Sequence, residues 1–124
     1  MKKIFTYCTL IFVLSSFRLS SINEVVNGLK TGNASQVSKY FDNTIDITLS
    51  DKSNSYSKSQ AELVLKDFFT TNGVVTFELI HSGENAGSQY IIGNLKTKKG
   101  IYRTTVYIKQ KADRQVLQEI RFEK

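Results

Sequence analysis

A single histidine, His81, stands in FELIHSGENAGSQYIIGNL, residues 77–95. Any acid–base or metal chemistry that needs an imidazole must use it. Proton transfer requires a base with a partner in hydrogen-bond reach, and a group opposite to stabilise the charge that develops. Tyr90 opens the next aromatic stretch and falls close to His81 if the two stretches pair as a hairpin. Arg103 lies on a third stretch and would orient an anionic or carbonyl substrate. Tyr56 and Tyr107 are further tyrosines suited to a pocket mouth, where an apolar ring and a polar tip serve recognition together. His81, Tyr90, Arg103, Tyr56 and Tyr107 are therefore the candidate ligand-binding residues, with His81 the candidate catalytic one.

Other chemistries find less to work with. Asp46 alternates with the apolar residues of its stretch and Asp67 sits on the polar edge of a helix, so spacing pairs neither with His81. A metal site would draw every ligand but one from carboxylates, and Glu84, three residues from His81, lies in an expected loop. No metal and no cofactor is expected. No serine occupies a strand-to-helix elbow. Gly83, Gly87, Gly93 and Gly100 fall in turns and strands, away from the helix starts that cradle phosphates. Gly93 is expected to mark a bulge that curves the sheet.

The first residues read as a targeting segment. MKKIFTYCTLIFVLSSF joins Lys2 and Lys3 to an apolar run from Ile4 to Leu14 and small residues beyond, the pattern of a secretory signal peptide. It is shorter than the ~20 apolar residues of a spanning helix. Residues 1–20 are assigned to this leader, with the cut between about 16 and 21, and residues 21–124 to one domain. The lone cysteine, Cys8, leaves with the leader, so the mature domain has no thiol. Loss of Lys2, Lys3 and Arg18 lowers the formal charge from +6 to +3, a weak basis for nucleic-acid binding. An exported domain, periplasmic or at the cell surface, without a stable membrane anchor, is the expectation.

The elements follow from periodicity. Ser21-Ile22-Asn23-Glu24, Asn33-Ala34-Ser35-Gln36 and Ser57-Lys58-Ser59-Gln60 have capping-box spacing and open three helices. TIDITLS, residues 44–50, alternates as a half-buried strand, DKSNS is expected to turn, and Tyr56 sits in a brief return strand. From Val74 four strands follow as an antiparallel meander. On the first, Val75, Phe77, Leu79 and His81 share a face by parity, which would turn His81 inward. On the third, Tyr102, Thr104, Val106 and Ile108 form an apolar face, continued by Val116, Ile120 and Phe122 on the fourth. With helices on the other side, that face is expected to be covered by a second subunit or left exposed. The class is α+β, in the order α-α-β-(β)-α-β-β-β-β.

YFDNTIDITL, YSKSQAELVLKDFF, FELIHSG, YIIGNLKTKKGIYR and LQEIRFE together resemble a family of small secreted bacterial proteins of unknown function with the nuclear transport factor 2-like fold. The resemblance spans residues 22–123. It implies a cone, a curved antiparallel sheet wrapped on N-terminal helices, together with an export signal and pairing of two copies through their sheets. It implies no activity, because this fold serves isomerases, dehydratases and non-catalytic modules alike. Two expectations follow. The first is a non-enzymatic module that binds a small ligand in the cone or a protein partner. The second is a small lyase or isomerase using His81 in the cone pocket.

Overall fold

The computed structural model describes residues 21–124, and the expected leader lies outside the described residues. Helix α1 covers 21–31, α2 Ala34–Ser38 and α3 Lys58–Asn72. The strands are β1 (Phe41–Leu49), β2 (Lys52–Ser57), β3 (Val74–Asn85), β4 (Ser88–Thr97), β5 (Gly100–Lys111) and β6 (Arg114–Glu123). Two of the helix starts behave as their spacing demands. Asn33 accepts a hydrogen bond from the Gln36 amide at 3.1 Å, and the Ser57 hydroxyl accepts from the Gln60 amide at 3.4 Å. No helix among the described residues is long and apolar enough to cross a membrane.

One six-stranded sheet runs in the order β2-β1-β6-β5-β4-β3. The meander β3 to β6 is antiparallel throughout and joined by two-residue turns. At β3–β4 the turn is Ala86-Gly87, both at positive φ, as hairpin turns that match strand twist require. The loop expected to hold Glu84, GENAGS at residues 83–88, is thus mostly strand. DKSNS likewise turns only at Asp51, which follows Ser50 in the turn, and its remainder is the start of β2. A further departure is at the centre, where β1 pairs with β6 in parallel, so the sheet is mixed.

The helices cover one face of the sheet. Val25 and Leu29 of α1, Val37 of α2 and Leu65, Phe68 and Phe69 of α3 pack onto Ile45, Ile47, Phe77, Ile91, Leu95, Val106, Ile120 and Phe122. Aromatic rings occupy the middle of the layer. Phe68 lies 4.5 Å from Phe122 and 5.0 Å from Tyr102, centre to centre, and Phe69 lies 6.1 Å from Phe122. Tyr102 is buried without an orphaned hydroxyl, because it donates to Asn72 Oδ1 at 2.9 Å while Asn72 Nδ2 donates to the Phe68 carbonyl.

This arrangement corrects the expectation for β5. Tyr102, Thr104, Val106 and Ile108, with Ile120 and Phe122 of β6, face the helices and form the core. The face left open is the other one, carrying Ile101, Arg103, Thr105 and Tyr107. Alternation separates the two faces of a strand correctly, but it does not say which of them meets the helices. That choice depends on partners far away in sequence.

Candidate functional site

Strand register places most of the sequence candidates together, on the outer face. Directly opposed residues project to the same side of a sheet, so a chain of opposed pairs defines a row across it. One such row reads Ser55, Asp46, Glu119, Tyr107, Tyr90, Gly83 from β2 to β3. The next reads Ser53, Thr48, Arg121, Thr105, Ile92, His81. A third, on four strands, reads Glu123, Arg103, Asn94, Glu78. Tyr107, Tyr90, His81 and Arg103 thus occupy adjacent rows of one surface. Tyr56 does not join them. It is opposed to Ile45, is half-buried, and packs against the core.

The position of His81 corrects the parity reading. Phe77 pairs with Leu95 and Leu79 with Gly93, but His81 then pairs with Ile92, so β3 carries one extra residue at Ile80. A bulge reverses parity beyond it. His81 therefore leaves the side of Phe77 and stands exposed on the outer face with Ile92 and Tyr90. The expected bulge at Gly93 is found on the strand opposite. Gly93 itself admits the Phe77 ring, which a Cβ there would overlap together with the Glu78 carbonyl.

The expected proximity of His81 and Tyr90 does occur. His81 Nε2 and the Tyr90 hydroxyl are 3.1 Å apart, and their rings lie 5.6 Å apart at 50°. Gly83 makes this possible, since the Tyr90 ring lies across it where any side chain would stand. An aromatic ring laid over a cross-strand glycine restores packing that the glycine lacks. The pair sits at the edge of the sheet, in the open, and the His81 side chain has no other hydrogen bond among the described residues.

Charges of both signs lie at each end of the face. Asp46 and Glu119 are neighbours in the first row; Asp46 accepts from the Ser55 hydroxyl, and Glu119 accepts from Arg121 Nε at 2.7 Å. That hydrogen bond and the nearby negative charge hold the Arg121 guanidinium above its ordinary range. At the other end are Arg103 and Lys96, the latter 3.5 Å from Glu78. The centre is aromatic and apolar, with Tyr90, Tyr107 and Ile92.

Asp42, at the start of β1, was not among the sequence candidates. Its buried carboxylate accepts from Lys111 Nζ at 2.9 and 3.2 Å, from Gln118 Nε2 at 3.2 Å and from the Asn43 amide at 2.8 Å. The Lys111 hydrogen bond first, then those of Asn43 and Gln118, lower its pKa from 3.8 to about 2. Its side-chain partners lie 69 and 76 residues away, so no local pattern announces it. This cluster pins the β5–β6 hairpin to β1. Among the described residues no three His, Cys, Asp or Glu side chains gather to hold a metal.

Comparison with known proteins places this geometry. The model of the family described as "Domain of unknown function (DUF4783)" matches residues 22–123. A DUF4783 family protein from Bacteroides ovatus superimposes with a TM-score of 0.79 at 28% identity, covering 82% of this chain and 92% of that one. The Bacteroides fragilis family protein gives 0.78 at 29% identity, covering 82% and 95%. A nuclear transport factor 2-like protein of unknown function from Shewanella oneidensis shares the fold at a TM-score of 0.63 and 10% identity, covering 89% and 98%. No curated protein matches. Helices packed inside a curved six-stranded sheet and a family match over nearly all the described residues lead to one statement: the chain belongs to the DUF4783 family and has the nuclear transport factor 2-like fold.

Proposed function

We propose that this is an exported, non-enzymatic binding module that engages its partner through the outer face of the sheet and not through the interior of the cone. The observation that supports this reading is the contrast between the two faces: Phe68, Phe69, Tyr102 and Phe122 pack against one another on the helix side, whereas Tyr107 stands 42% exposed on the other. The outer face offers what a binding surface needs: exposed aromatic groups at its centre and charges of both signs at its ends. A protein is the favoured partner, and a second copy of the chain is the first to test, since both ends of the face carry paired charges of both signs beside its exposed aromatic centre. A dimeric mass by light scattering at tens of micromolar supports that case.

A photo-activatable side chain at Thr105, on the outer face, is expected to crosslink to protein in the cell envelope. The same group at Lys66, on the exposed side of α3, is expected to give none. Equal labelling at both positions, or a tightly held small molecule released only on unfolding, defeats the reading. Export is tested by fractionation, with a shortened chain outside the cytoplasm as the expected result. The contact of His81 with Tyr90 favours a second reading, acid–base chemistry. That reading needs a substrate shielded from water, whereas the pair stands in solvent.

A further inference from the structure

We infer that the end of the outer face carrying Asp46 and Glu119 is a saccharide-binding site, a cleft that takes a neutral polyhydroxylated ligand. The inference rests on the reading of the outer face as the binding surface and goes beyond its protein partner to a second ligand, of another class. The cleft has a volume of about 320 Å³ and is lined by Asp46 of β1, Gln89 of β4, Tyr107 and Lys109 of β5, and Gln118 and Glu119 of β6. That size is at the lower end of ligand clefts, roughly 300–1,000 Å³, and suits a sugar ring.

The chemistry of the lining excludes the other ligand classes in turn. An apolar ligand would desolvate carboxylates and amides without replacing their hydrogen bonds. An anion would meet Asp46 and Glu119 together. A cation would find Glu119 already engaged by Arg121 at 2.7 Å, Asp46 accepting from Ser55, and Lys109 in the same wall. The two carboxylates and two cations balance, which favours a neutral guest rich in donors and acceptors. Sugar hydroxyls are both at once, so they can give a proton to the second oxygen of Asp46 or Glu119 while Ser55 and Arg121 keep the first. The C–H face of a sugar ring needs an apolar platform, and Tyr107, 42% exposed, supplies one.

The test is nuclear magnetic resonance titration of the isotope-labelled protein with glucose, galactose, mannose and N-acetylglucosamine, and with disaccharides of each. Acetate and methylamine serve as the anionic and cationic probes. At least one saccharide is expected to shift the Gln89, Tyr107 and Glu119 amides with millimolar affinity, while acetate and methylamine leave them unmoved. Tyr107→Ala is expected to weaken that binding at least ~10-fold, and Glu119→Gln by a smaller factor, with Leu63→Ala on the far side of the molecule unchanged. Because Tyr107 and Glu119 lie outside the core, both variants are expected to keep the wild-type spectrum elsewhere. The inference is overturned if no saccharide shifts the cleft at about 100 mM, if Tyr107→Ala binds as well as wild type, or if methylamine or acetate binds there more tightly than any sugar. Crosslinking at Thr105 is read independently, so the ligand class can fail while the outer face stands.

Discussion

Tyr102 and Tyr107 lie on the same strand, five residues apart, and have opposite environments. Tyr102 faces the helices, stacks against Phe68 and gives its hydroxyl to Asn72. Tyr107 faces outward, 42% exposed, between Tyr90 and Glu119. The two faces of β5 thus divide the work of the domain. The inner face holds the fold together with rings packed against one another. The outer face, with its exposed side chains, contributes less to that packing and, on the proposed reading, is the one that meets a partner.

Substitutions can break this division or sharpen it. The largest effect is expected at Phe122, whose truncation to Ala removes a ring packed on Phe68 and Phe69. A loss of about 3–5 kcal/mol is expected by chemical denaturation, enough to unfold a domain of ordinary stability. Asp42 should come next. Its charged form is bound more tightly in the folded state, so its contribution is fully present above pH 3.8 and is lost as pH falls toward about 2. In Asp42→Asn, melting temperature should depend less on pH across that window, and stability at neutral pH should fall by roughly 1–2 kcal/mol.

Tyr102→Phe keeps the ring but leaves Asn72 Oδ1 without its donor. About 1–2 kcal/mol should be lost, against a change within ~0.5 kcal/mol for Tyr107→Ala. Equal losses at these two tyrosines would abolish the distinction between the faces. The smallest effect on stability is expected at Gly83→Ala, where the added methyl displaces the Tyr90 ring. The His81 ring resonances should shift as the contact with Tyr90 breaks, while the melting temperature changes little.

Much of the inner face was legible in the sequence because its signals are local. Ser57 and Gln60 lie within one turn and cap α3 as their spacing predicts. Ile45 and Ile47 alternate within one strand and are both buried. The outer face was legible only in part. A hairpin brings Tyr90 to His81, which spacing conveys, but the extra residue at Ile80 turns His81 away from the core, to the side Tyr90 already occupies. Nothing in FELIHSG distinguishes a bulged strand from a regular one, because a bulge is decided by the fit of one strand to the next. Asp42 and the exposed side of β5 were hidden for a related reason. Each depends on residues that only the finished sheet brings near.

The sheet order has a consequence for how the molecule is made. The last strand of the chain, β6, lies in the middle of the sheet, between β1 and β5. Its pairing with β1 joins residues more than seventy positions apart, such as Ile47 and Ile120. Contacts so distant in sequence close slowly, because the intervening chain must be ordered first. Until Leu117, Ile120 and Phe122 arrive, the helices have only part of a sheet to pack against, and β1 keeps an open edge. The native sheet therefore cannot close before Arg114–Glu123 are available to pair, and until then the β1–β2 hairpin and the β3–β5 meander are two separate pieces awaiting one shared strand.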